Sequence, residues 1–163
     1  MSATTTPAPL VRNAAEAERR WFHGGGVHTW LATAADTAGT FLLFVDEMEQ
    51  GKVTPLHTHP TDETLYVLEG ELLVHLDGSE FPVSAGGLIL APRDVPHAFK
   101  VVSPSARVLC LHTPGTCEAF YMSASYPIDD ETVSGPVDFE SIAASGQRNG
   151  GIQLLGPPPF TSD

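Results

Sequence analysis

The chain has 163 residues, 42% hydrophobic and 17% charged, with a formal net charge of -12 at pH 7. That length allows one domain with extensions and a real apolar core without disulfide staples. Eight Lys and Arg against twenty Asp and Glu would be repelled by a phosphate backbone or an anionic bilayer surface, so nucleic acid and membrane are not expected partners.

The first nine residues are rich in Thr, Pro and Ala, with no basic region followed by an apolar run. They are expected to be a disordered arm rather than a secretory signal, and the protein is expected to be cytoplasmic. Asn13 to Arg20 reads as a short helix, with Asn13 able to cap it, Glu16 three residues on, and Arg19 and Arg20 at its end. Gly24-Gly25-Gly26 then breaks the chain. Residues 1–26 are thus an N-terminal arm with a short helix.

From Val27 to Thr113 the pattern is that of a β protein. Runs rich in Val, Leu, Phe and Thr at 27–33, 39–47, 55–59, 63–69, 71–76, 80–83, 88–91, 97–102 and 106–112 are separated by turn residues such as Glu69-Gly70, Asp77-Gly78 and Ala85-Gly86-Gly87. Many short strands with regular turns and no intervening helical period indicate an antiparallel sandwich or barrel. Residues 114–163 form a C-terminal extension. Asp138 to Gly146 reads as a short capped helix ending at glycine, and the apolar stretch from Gly151 to Phe160 is expected to pack on the barrel or on a partner subunit. Cys110 lies in an apolar run and reads as a core thiol, whereas Cys117 follows Pro114-Gly115-Thr116 and is expected to be more exposed.

Four residues carry the chemistry: His57, His59, Glu63 and His97. His57 and His59 are two apart, so on a strand both imidazoles point to one face. Glu63 shares the parity of Leu65 and Val67, so it looks inward, and His97 opens a later strand. Imidazole suits Zn, Cu, Fe and Ni, and carboxylate suits harder ions. Three neutral imidazoles and one carboxylate leave a divalent ion with about +1 net charge and open positions, unlike a closed cysteine-rich structural zinc site. Of the other histidines, His23, His28, His75 and His112 are expected on the surface or behind the ligands, with His112 near the barrel mouth. Phe99, Phe120, Tyr121, Tyr66 and His112 are candidates for the wall of an apolar substrate pocket.

These segments resemble the paired motifs of the cupin superfamily. Gly51, His57, His59, Glu63 and Gly70 meet every position of G-x5-HxH-x3-E-x6-G. Gly86, Pro92 and His97 meet G-x5-PxG-x2-H-x3-N, in which Asp94 and Val101 replace a glycine and an asparagine. Asp94 is expected to take the left-handed turn that the glycine would. The resemblance implies an all-β fold, a double-stranded β-helix or jelly-roll barrel, with His57, His59, Glu63 and His97 as metal ligands. The early Trp21-Phe22, the single barrel, a helical segment after it and the Gly-Pro-Pro-Pro tail are similar to bacterial single-domain quercetin 2,3-dioxygenase-like cupins. That narrower likeness implies a divalent Ni, Mn, Fe or Co ion, dioxygen as co-substrate and oxidative ring cleavage, with release of carbon monoxide, of a flavonol-like or other enolisable aromatic compound. Glu63 would then be both ligand and catalytic base. The alternatives are a cupin isomerase, decarboxylase or cyclase acting on a small natural product, and a non-catalytic small-molecule-binding cupin. Single-domain cupins commonly pair, so a homodimer is expected.

Overall fold

The computed structural model describes residues 6–128 and 135–161. The expectation for residues 1–5 lies outside the described residues. In chain order the strands are β1 (Arg19–Phe22), β2 (Gly26–Ala32), β3 (Leu42–Glu49), β4 (Leu56–Thr58), β5 (Asp62–Glu69), β6 (Glu71–Leu76), β7 (Ser79–Ser84), β8 (Leu88–Ala91), β9 (His97–Val101) and β10 (Ser105–Thr113). Helix α1 (Glu118–Ser123), β11 (Ser125–Pro127), helix α2 (Phe139–Asn149) and β12 (Gln153–Gly156) follow. Two antiparallel sheets face each other, with orders β11-β1-β2-β3-β10-β5-β8 and β12-β4-β9-β6-β7. This is the jelly-roll sandwich that the run of short strands implies.

Alternation explains the core. On β10, Ala106, Val108, Cys110 and His112 are buried while their neighbours are only partly so, and on β5 Glu63, Leu65 and Val67 are the buried set. Leu72, Val74 and Val101 close the space from the opposite sheet. Each such apolar side chain contributes about 1.5–3 kcal/mol relative to leaving it exposed. The turns are those the glycines announce. Gly70 has φ 85°, and a Cβ there would lie 2.8 Å from the Ala106 Cα, so no other residue fits.

Three expectations need correction. The helix from Asn13 to Arg20 is only a 3-10 turn, Ala14–Glu16, where Glu16 Oε2 accepts from the Asn13 backbone at 3.1 Å. The chain then enters β1, because pairing with β2 and β11 buries Trp21 and Phe22 and outweighs the local capping signal. The sheets therefore also use residues outside 27–113. Helix α2 starts as expected, with Ser141 N donating to Asp138 Oδ1 at 2.9 Å, but it runs past Gly146. Gly146 serves close packing instead: a Cβ there would lie 2.8 Å from Ile152 Cγ2, and Gly150 (φ 64°) ends the helix. Cys117, expected to be exposed, is fully buried beneath α1, and both thiols are free.

Asp94 has φ 63°, the left-handed conformation its place in the second motif requires. Its backbone N–H donates to the His59 carbonyl at 2.8 Å, tying the second motif to the first. Asp94→Val should therefore cost about 1–2 kcal/mol, because a β-branched residue is strained there. Asp94→Gly should be neutral or stabilise slightly; chemical denaturation of the two variants checks the order.

Candidate metal centre

The register brings the four heads together from both sheets. His57 on β4 is the direct cross-strand partner of His97 on β9, and Glu63 on β5 is the partner of His112 on β10. His59 follows β4 by one residue, on the same side as His57. One ligand atom from each of His57, His59, Glu63 and His97 lies within 4.8 Å of the others, and all four residues are buried. His57 Nε2 is 3.1 Å from His59 Nε2, and Glu63 Oε2 is 2.7 Å from His97 Nε2 and 3.4 Å from His59 Nε2.

The outer nitrogens fix the tautomers. Nδ1 of His57 donates to Pro55 O at 2.7 Å, Nδ1 of His59 to Gly151 O at 2.7 Å, and Nδ1 of His97 to Val95 O at 2.9 Å. With each Nδ1 carrying a proton, Nε2 is the atom that each ring turns inward. Without a metal, the proton that Glu63 favours on the His59 ring offsets the charge of the carboxylate; once it leaves, three Nε2 lone pairs and a carboxylate face one point. The donor set therefore fits a divalent transition ion. The loop carrying the second motif is held by Arg93, whose backbone N–H and guanidinium donate to Asp62 at 2.8–3.2 Å.

Behind the four lies a polar support. His112 Nε2 is 2.8 Å from the Tyr121 hydroxyl and 3.5 Å from Glu63 Oε1, and His112 Nδ1 is 3.0 Å from Thr61 Oγ1. Cys117 Sγ approaches Thr61 Oγ1 at 3.2 Å and Gly151 O at 3.3 Å. His59, His112 and Cys117 also form a group that could hold an ion. Their facing atoms are already engaged by Thr61 and Gly151, so this group is better read as a brace for the first.

Burial and the adjacent His59 and His97 rings push His57 well below the ordinary imidazole value. Burial opposes the charge on Glu63, but His59 and His112 outweigh it and hold the carboxyl well below its usual range. Burial also opposes a proton on His59, yet Glu63 and Cys117 raise that ring to about 10. His112 is driven down to about 3, chiefly by burial, and is neutral at pH 7.

A cavity of about 50 Å³ adjoins three of the four residues. His57, His59 and Glu63 form one end, and Phe99, Phe120 and Tyr121 are on its walls. Tyr66 is not: it alternates with Glu63 on β5, faces outward and is 40% exposed. His112 stands behind Glu63 rather than in the wall. Phe22 and Phe44, which the aromatic pattern also offers as wall residues, do line it; sequence reasoning missed Asp46 and Lys52, and it set His28 aside. The space holds a few waters or a compact group, far less than the roughly 300 Å³ or more that encloses a drug-sized ligand.

A family model described as "Cupin domain" matches residues 44–113. The chain is 31% identical over 105 residues to a Streptomyces cyaneus protein named polyketide synthase CurC, covering 64% of this chain and 68% of that one. It is 26% identical over 122 residues to quercetin 2,3-dioxygenase of Bacillus subtilis, covering 74% of this chain but 36% of the relative, so it spans about a third of that enzyme. Among solved structures, KdgF from Halomonas sp. superposes with TM-score 0.59 at 21% identity, covering 66% of this chain and 94% of that one. An RmlC-like cupin from Shewanella frigidimarina superposes with TM-score 0.59 at 19% identity, covering 68% and 95%. The jelly-roll sandwich and the paired motifs make this a cupin-type protein. The chain belongs to the cupin superfamily.

Because His59 keeps its proton up to about pH 10 without a metal, a divalent ion must displace that proton to bind. Affinity for Co(II) or Ni(II) should therefore rise about tenfold per pH unit between pH 6 and 8. Competition against a chromophoric chelator measures it; a flat profile would show that no proton is released.

Proposed function

We propose that this cupin is a metal-dependent enzyme acting on an enolisable carbonyl or phenolic compound, with oxidative ring cleavage by dioxygen as the leading reaction. The observation that carries this reading is the convergence of three inward Nε2 atoms and the Glu63 carboxylate at one end of a largely apolar cavity. A divalent Ni, Mn, Fe or Co ion held there would supply an electrophile that acidifies a hydroxyl or enol bound to it.

The rest of the chemistry belongs to the chain. Glu63 is ionised and its Oε1 faces His112 at 3.5 Å, so it can take the proton of the incoming hydroxyl. Neutral His112, braced by Tyr121 and Thr61, stabilises the carboxyl in that position. Phe44, Phe99 and Phe120 offer faces and edges for a flat apolar body and keep water out. A flavonol enters only if the wall yields, and Phe120 and Tyr121 of α1, with Ile142 and Ile152 of the C-terminal segment, are wall residues that lie outside the strands of the two sheets.

A second reading has its own support. The relative named polyketide synthase CurC matches along two thirds of its length, and the small cavity suits a compact enolisable segment. Under that reading the same centre promotes cyclisation, isomerisation or decarboxylation without dioxygen. A binding cupin without turnover is the third outcome.

We also propose a homodimer through the outer face at the sheet edge. Edge strand β8 shows Leu88 and Leu90, 64% and 50% exposed, beside Tyr66 and Leu68 of β5. An edge strand with unpaired backbone groups and apolar side chains is a template for a second copy. Leu88→Glu with Leu90→Glu should convert a dimer to a monomer in sedimentation analysis; an unchanged species would place any interface elsewhere.

Metal-replete protein should consume dioxygen with quercetin and release carbon monoxide. Turnover under nitrogen would move the assignment to the second reading. Glu63→Gln should retain most of its metal yet lose at least about 100-fold in turnover, the scale of a removed general base; full activity would remove that role.

A further inference from the structure

The cavity has a second polar end that the metal centre does not use. His28 on β2 and Asp46 on β3 are cross-strand partners, 1% and 3% exposed. Lys52 follows β3 through the Gly51 turn (φ 85°) and folds back so that its side chain is 3% exposed. Its Nζ lies 2.6 Å from Asp46 Oδ2, and His28 Nε2 is 3.5 Å from that same oxygen. All three residues line the cavity that His57, His59 and Glu63 also line.

This group is not internally satisfied. An ammonium has three donors, and Asp46 Oδ2 is the one acceptor Lys52 meets among the described residues. Asp46 Oδ1 and both His28 ring nitrogens have no hydrogen-bond partner among the described residues. Phe22 and Phe99 present their rings to Nζ at 5.6 and 5.5 Å, while His28 stacks between Phe22 and Phe44 at 4.6 and 4.3 Å. The fold makes room for the group as well: a Cβ on Gly26 would overlap Asp46 Oδ1 and lie 3.1 Å from Lys52 Nζ. A buried ion pair with open valences costs desolvation that apolar residues of similar volume avoid. Its retention on a cavity wall calls for a guest that completes it.

We propose that Lys52, positioned by Asp46, binds an oxyanion of the substrate, a carboxylate or an enolate, while another oxygen of the same molecule occupies the metal end. The substrate class is then a compact compound with two separated oxygen functions, one of them anionic, joined by a flat apolar portion that lies along Phe22, Phe44 and Phe99. Lys52 selects the substrate and fixes its orientation. This assignment rests on the proposed open metal centre.

The test uses Co(II)-loaded protein and two probes, acetohydroxamate and succinic monohydroxamate, which share the metal-binding head and differ in a distal carboxylate. Binding is read from the cobalt visible spectrum and by calorimetry. The wild type should bind the carboxylated probe at least tenfold more tightly. In the charge-balanced Asp46→Asn/Lys52→Met variant that preference should fall below twofold, with acetohydroxamate affinity unchanged. No preference in the wild type, or the same preference in both proteins, overturns the assignment. If the double variant does not fold, Lys52→Gln alone decides: the preference for the carboxylated probe should fall below twofold with acetohydroxamate affinity unchanged, and an unchanged preference overturns the proposal. If neither probe moves the cobalt spectrum, the open metal centre is wrong. Lys52 is then judged by formate calorimetry, where a tenfold loss in the double variant supports it and equal affinity overturns it.

Discussion

The convergence of four buried ligand heads is the constraint around which this molecule is built. Three imidazoles and a carboxylate are held face to face between two sheets, and they tolerate that arrangement only with a positive charge among them, the proton on His59 or a metal ion in its place. The surrounding structure imposes it. The His57–His97 pairing fixes two rings by strand register, and the backbone carbonyls of Pro55, Val95 and Gly151 hold the three tautomers. Asp94, in its left-handed turn, joins the loop before His97 to the His59 backbone, while Arg93 ties it to Asp62 on β5. Each of these contacts is modest; together they leave the four heads no direction in which to relax.

The cavity beside them is lined by two polar groups, the candidate ligands and the His28–Asp46–Lys52 cluster. One collects side chains suited to a cation, and the other displays a cation of the protein's own. Aromatic side chains separate the two. A guest that satisfies both ends must itself be polar at its extremities and apolar between them. That is a stricter filter than the metal centre alone provides, and cupins share that centre across many reactions. The small volume sharpens the filter, since a guest too short cannot reach both ends and one too broad must displace the wall.

Much of this was readable from residue order. The nine runs between Val27 and Thr113 each became a strand, because alternation and glycine turns are local signals that the sandwich does not override. The His57/His59 spacing and the inward parity of Glu63 placed three of the four heads on the inner faces. The same parity shows that Tyr66 faces outward, so its place among the wall candidates was an inconsistency rather than an unreadable fact. Other features had no local signal. β11 forms only because β1, far back in the chain, offers it an edge, and β1 itself is drawn into the sheet by its hairpin with β2 and by β11. Lys52 stands in a Gly-Lys-Val run that reads as an exposed turn, and only the fold-back of that turn onto Asp46 buries it. His28 looks like any strand histidine until Phe22 and Phe44 are stacked on its two faces.

The tether on His59 has a temporal side. Its acceptor, the Gly151 carbonyl, lies 92 residues further along the chain, and β12 just beyond it pairs with β4, the strand that leads into His59. During synthesis the sandwich strands through β10 can therefore emerge and begin to pair while His59 remains free to rotate. The ring acquires its final orientation only when Gly151 and β12 have been made and β12 has paired along β4. An ion arriving earlier would meet an unfinished site, in which the His59 ring is not yet anchored.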